Sequence, residues 1–168
     1  SNITQVEKNV IKEAAERTGA RKVYIEYEPK VAAIGAGMDI SKAQANMVLD
    51  IGGGTTDIAV LSLNGIVSSA SVKIAGNALD QDLIKYIHDK YKLLIGEKTA
   101  EDIKINFANV YKPKDKEKQE VRGRDLITGL PKAITITQKE TKDAMEDSIK
   151  KIIKSCKNVL ENTPPELS

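Results

Sequence analysis

The chain has 168 residues, 26 of them basic and 24 acidic, for a net charge of +2. With no Trp and a single Phe, Phe107, it lacks both the basic footprint and the stacking platform of a nucleic-acid binder. One cysteine, Cys156, and one histidine, His88, exclude an internal disulfide and a Cys/His metal centre.

No run approaches the roughly 20 apolar residues of a membrane span, and no signal peptide is expected. The length suits one compact domain, or one with a small subdomain inserted. The sequence opens directly into helix-like residues, so its start reads as a boundary inside a longer protein. The free cysteine fits a reducing cytoplasm.

Thr4 and Glu7 form a capping box ahead of an apolar stripe of Val6, Val10, Ile11 and Ala14. Gly19 ends that helix, and Lys22 to Glu26 reads as a strand. Glu28-Pro29 opens a second, Ala-rich helix to Ala36. Met47 to Ile51 is a nearly continuous apolar run, the pattern of a strand buried on both faces.

Two β-rich runs follow, Ile58–Leu63 and Ile66–Ile74, joined by Asn64-Gly65 as a predicted type I′ turn. Helices are predicted over 78–91 and 99–108, then a Lys-rich loop over 111–118. Strands are predicted over 120–127 and 132–137 around Thr128-Gly129. The last helix opens with a second capping box, Thr137 to Glu140, and carries Met145, Ile149, Ile152, Cys156 and Val159 on one face. The order predicts an α/β fold with a mixed sheet flanked by helices and a small α+β subdomain inserted after the hairpin.

Asp50-Ile-Gly-Gly-Gly-Thr-Thr-Asp57 carries the chemistry. Gly52, Gly53 and Gly54 follow a strand directly, so the backbone can approach a ligand with no Cβ in the way. Successive N–H groups in such a turn form a nest for phosphate oxygens. Asp50 is placed to hold Mg²⁺ through water, and Thr55 and Thr56 add hydroxyls that could orient a water. No Gly-Lys-Ser/Thr follows, and the next element is a strand, which sets the motif apart from Walker and dinucleotide loops. A hairpin that binds nothing is the bland alternative.

Glu28 sits at a strand-to-helix junction. It reads either as a helix cap or as a carboxylate that positions an attacking water. Glu101 and Lys104, at i and i+3 on one helix, read on their own as a surface pair.

These segments resemble the C-terminal half of the MreB family of bacterial actins, within the superfamily of actins, sugar kinases and 70-kDa heat-shock chaperones. The resemblance covers nearly the whole chain. It rests on Glu28-Pro with Ala32–Gly37, Asp50–Thr56, Ile74–Gly76, Lys92–Glu101, Glu120–Leu126, Thr128–Pro131 and Thr163–Leu167. It implies that 50–55 form the second phosphate motif, that Glu28 and Thr55 position the hydrolytic water, and that Glu101 and Lys104 touch the adenosine of ATP or ADP. It implies an actin-like, ribonuclease H-like domain II. Subdomain IIA would be 1–77 with 138–168, and IIB would be 78–137. Tyr27, Lys30 and Asn77 depart from the residues usual at their positions, and Lys30 puts a positive charge near Glu28.

The same resemblance implies a cytoplasmic, filament-forming ATPase that helps determine cell shape, peripheral to the inner face of the membrane. It would polymerise with itself through IIA–IIB contacts, need domain I for hydrolysis, and meet membrane and other shape-determining proteins only as a full-length protein. Two alternatives stay open. One is half of a sugar or acid kinase of the superfamily, and the other is a non-catalytic nucleotide-binding or interaction domain.

Overall fold

The computed structural model describes residues 4–167. Its contacts gather into two compact units. One comprises Ser1–Ile51, Thr55–Lys73 and Ser155–Ser168, the other Gly52–Gly54 and Ile74–Lys154.

The first unit is built on an antiparallel sheet of β1 (Asn46–Ile51), β2 (Thr56–Ser62) and β3 (Gly65–Val72), in that order. Where the sequence predicts a mixed sheet, every strand pairing among the described residues is antiparallel. Short turns join β1 to β2 and β2 to β3, and only antiparallel pairs can be closed that way. The buried strand is β2, covered at every position, while β1 leaves Leu49 and Ile51 exposed. The apolar run of β1 therefore lies at an edge, because burial follows strand order rather than hydropathy alone.

Alternation along β2 feeds two cores. Ala59 and Leu61 pack with Ala33 of α2 (Glu28–Gly35) and with Ile40. Ile58 and Val60 pack with Val159 at the end of α5 (Gln138–Glu161). The predicted I′ turn is present one residue early. Leu63 (φ 50°) and Asn64 (φ 60°) are its central residues, and Gly65 pairs with Ser62 as the first residue of β3. Leu63 and Asn64 are held there by N–H bonds to the carbonyls of Lys42 (3.0 Å) and Ile40 (2.8 Å).

Helix α1 (Gln5–Arg17) starts at the expected capping box, with Thr4 and Glu7 bonded reciprocally. None of its residues is buried. The strand predicted over 22–26 does not form, since no described strand supplies the ladder its N–H and C=O groups require.

The second unit packs α3 (Gly76–Tyr91), α4 (Glu97–Asn106) and the start of α5 against a sheet of β4 (Leu93–Leu94), β5 (Lys118–Asp125) and β6 (Pro131–Thr137). Its core contains Leu83, Ile87, Leu93, Ile103, Val121, Ile136 and Met145. Gly123 lets β4 lie close on β5, since a Cβ there would meet the Leu94 carbonyl oxygen.

Polar side chains close the ends of this unit. Asp125 accepts from the backbone N–H groups of Ile127 (2.8 Å) and Thr128 (3.0 Å) and from Lys132 Nζ (2.7 Å). The Lys132 ammonium and those two N–H groups hold its carboxyl well below the usual range. Glu140 completes the second capping box with Thr137 and also takes hydrogen bonds from Lys90 Nζ (2.6 Å) and the Tyr91 hydroxyl.

Candidate functional site

The glycine turn links β1 to β2, whose register ends on the pair Ile51–Thr56. In the first unit, Asp50 faces Asp57 across the β1–β2 ladder. Directly opposed residues share a face of the sheet, so the two carboxylates lie on one face of the β1–β2 pair. Thr56 is fully buried and Thr55 half-buried.

Glu28 is the first residue of α2 and is exposed, and no side chain caps that helix. The capping alternative for Glu28 is therefore not what the fold uses, and its carboxylate is left available. Lys30, by contrast, is committed to Glu26, with Nζ 3.2 Å from Oε2. Tyr27, the other departure beside Glu28, takes the Lys8 ammonium over its ring at 5.0 Å.

In the second unit, α3 holds the turn. Gly76 N–H donates to the Gly52 carbonyl at 3.0 Å and Asn77 N–H to the Gly53 carbonyl at 2.8 Å. Glycine at 76 eases this approach, since a Cβ would lie a tight 3.3 Å from Gly52 O and 3.4 Å from Lys104 Nζ. The carbonyls of Gly52 and Gly53 are thus tied back by α3, which leaves their N–H groups as the donors they can offer a ligand. A Cβ on Gly54 would meet no atom within 4 Å, so that side of the turn is open. The arrangement fits a phosphate.

Next to it, α3 and α4 line a cleft of about 600 Å³ that carries Asp80, Glu97, Glu101 and Asp102 with one cation, Lys98. Its size suits a drug-sized or nucleoside-sized group. Four carboxylates against the single Lys98 ammonium leave it net acidic, unfavourable to phosphate and favourable to hydroxyl and amino donors. Glu101 lines the cleft. Lys104 adjoins it, its Nζ donating to Oδ2 of the lining Asp80 at 2.8 Å and to the Gly76 carbonyl at 3.2 Å.

The predicted site residues thus fall into two sets. Glu28, Asp50, Thr55 and Thr56 belong to the first unit, and Gly52, Gly53, Gly54, Glu101 and Lys104 to the second. Sequence reasoning missed Asp80 and the role of the α3 N-terminus. The available signal was Gly76 at a helix start, where a residue with no side chain marks close backbone approach.

The family description "MreB/Mbl protein" matches residues 1–168. The cell shape-determining protein Mbl of Bacillus subtilis is 55% identical over all of this chain and 50% of its own length. The cell shape-determining protein MreB of Escherichia coli is 45% identical over 98% of this chain and 48% of its own. The chain therefore spans about half the length of these relatives.

Crystal structures of MreB5 of Spiroplasma citri, one bound to AMPPNP and one to ADP, match with TM-score 0.93 at 42% identity over 99% of this chain, which is 50% and 51% of theirs. The MamK double helical filament matches with TM-score 0.77 at 24% identity and supports the fold alone.

Proposed function

The chain belongs to the MreB/Mbl family and has an α/β actin-like fold; from that premise we propose that it is one half of a nucleotide clamp in a filament-forming bacterial ATPase that helps determine cell shape. The observation that carries this reading is the glycine turn, where Gly76 and Asn77 tie back the Gly52 and Gly53 carbonyls and leave N–H groups for phosphate. The MreB5 neighbours are bound to AMPPNP and ADP, which supports a nucleotide as the ligand.

In this reading Gly52–Gly54 cradle phosphate oxygens. Asp50 holds Mg²⁺ through water, and the ion would offset phosphate charge. Glu28 and Thr55 position the attacking water, and Thr56, buried in β2, fixes the strand that carries Thr55. Glu101 meets the ribose or base within the acidic cleft, with Lys104 beside it. Subdomain IIA is read as 1–77 with 138–168, and IIB as 78–137.

The other half of the protein, domain I, is read as the partner that closes the clamp. Support comes from α1, whose apolar stripe is uncovered, with Val6 and Val10 72% and 61% exposed. Hydrolysis needs both halves to hold nucleotide and water in line. Self-assembly through IIA and IIB ends, in filaments on the cytoplasmic side of the membrane, completes the proposal.

The test is sedimentation of the full-length protein with ATP and Mg²⁺, with and without sugar or acid acceptors. Pelleted filaments with slow phosphate release are expected. A phosphorylated acceptor would replace this reading with a small-molecule kinase. The 168-residue chain alone is expected to bind ATP weakly in calorimetry and not to hydrolyse it, and submicromolar affinity would overturn the clamp.

A further inference from the structure

Asp80 has no part in the reading above, yet it sits where the glycine turn and the cleft meet. We propose that Asp80 is a positioning residue: it holds Lys104 so that the lysine braces the phosphate turn through Gly76. The inference rests on the nucleotide reading only for its functional consequence, since the contacts themselves lie within the second unit.

The contacts form a short chain. Asp80 is 8% exposed and lies on the first turns of α3. Its Oδ2 accepts from Lys104 Nζ at 2.8 Å, and the same ammonium donates to the Gly76 carbonyl at 3.2 Å. Gly76 in turn donates its N–H to Gly52 O at 3.0 Å, and Asn77 donates to Gly53 O at 2.8 Å. Gly76 is thereby fixed through both of its backbone polar groups, one bonded to the turn and the other to Lys104.

Asp80 Oδ1 is buried and accepts no hydrogen bond from the chain, so the carboxylate depends on Lys104 for its compensation. α3 starts without a side-chain cap, its N-cap being Ala75, so no capping side chain orients Gly76 and Asn77. An ammonium has three donors, and Asp80 and Gly76 take two. The third is left for a ligand in the adjoining cleft, which would let one lysine report nucleoside occupancy to the phosphate turn.

Amide hydrogen exchange in the 168-residue chain tests the brace. Asp80→Asn is expected to speed exchange at Gly76 and Asn77 about tenfold, the loss of one charge-assisted hydrogen bond's local stability, while the Phe107 amide, which caps the end of α4, holds its rate. Lys104→Met should give the same local signature, and the double variant should add little to either single one. Should Asp80→Asn not fold, Lys104→Met carries the test alone. Unchanged exchange at Gly76 and Asn77, or an equal rise across the whole unit, overturns the proposal.

A second arm uses the full-length protein, in which both variants are expected to weaken ATP binding about tenfold, or 1.4 kcal/mol. Fast local exchange with unchanged ATP affinity keeps the brace and removes the nucleoside role of Lys104. Filaments and hydrolysis that vanish only in Glu28→Gln would leave the brace untouched and bear on the proposed function alone.

Discussion

Helices α1 and α5 begin with the same chemistry and end in different circumstances. Each opens with a Thr whose hydroxyl accepts from the third helical N–H and a Glu that returns the bond. In α5 the apolar stripe is covered, with Met145, Ile152 and Val159 buried, and the capping Glu140 also ties Lys90 and Tyr91 of α3. In α1 the stripe faces solvent and Glu7 bonds only to its own cap. Capping decides where a helix starts. What it packs against decides what it contributes.

The largest test of that contrast is in the stripes. Met145→Ala is expected to cost about 2–4 kcal/mol, because Met145 is 2% exposed within the core of the second unit. Urea melts of the 168-residue chain give the value. A loss near zero would mean that this core relaxes around the gap, and the distinction between the helices would weaken.

Next come the two capping glutamates. Burial alone would raise the Glu140 carboxyl, but hydrogen bonds from Lys90, Tyr91 and Thr137 outweigh it and hold it at about 2. A folded-state value below the unfolded one stabilises the fold above the unfolded pKa. That contribution is fully present above about pH 4.5 and is lost as pH falls towards about 2. Glu140→Gln should therefore lower stability at pH 7 by about 1–2 kcal/mol, after allowance for solvent screening, and flatten the acid limb of the stability curve. Glu7 is lowered by its bonds to the Thr4 backbone and hydroxyl but is fully exposed, so Glu7→Gln should move the midpoint less. Equal shifts for the two would break the comparison.

Much of this was legible in the sequence, for identifiable reasons. Both capping boxes lie where Thr and Glu are spaced for them, and the glycine turn follows its strand as three consecutive glycines announce. Local chemistry of that kind carries its own geometry. What escaped was set by neighbours distant in sequence. β1 reads as a central strand by hydropathy and lies at an edge, since β2 takes the middle of the sheet. Lys22–Glu26 reads as a strand and lacks a ladder partner among the described residues.

The hairpin turn shows the same limit on a smaller scale. Asn-Gly is the usual centre of a type I′ turn, yet Leu63 takes the first left-handed position at φ 50°. Register is set by the burial of β2 and by the carbonyls of Ile40 and Lys42, and the turn accepts an unfavourable residue as a result. Leu63→Asn should stabilise the chain by up to about 1 kcal/mol, because Asn tolerates this region and Leu63 is 66% exposed. A loss in thermal melts instead would show that the Leu63 side chain makes a contact worth more than the strain. Lys104 shows a different limit, since periodicity placed it on a helix face but could not reveal that Asp80 and Gly76 claim it.

The smallest effect in the chain is expected at Val10, and there the contrast between helices becomes a statement about the whole protein. Val10 is 61% exposed, so Val10→Ser should change the stability of the 168-residue chain by less than about 0.5 kcal/mol. If the other half of the protein covers this stripe, the same substitution should cost the full-length protein about 1–3 kcal/mol, the value of burying a valine side chain. The two numbers must differ for α1 to be an interface helix. Equal small losses would make the stripe ordinary surface, and equal large ones would mean that α1 is covered within the chain. Paired melts of the short and full-length proteins separate the three cases, and the difference between them measures what, if anything, covers α1 outside this chain.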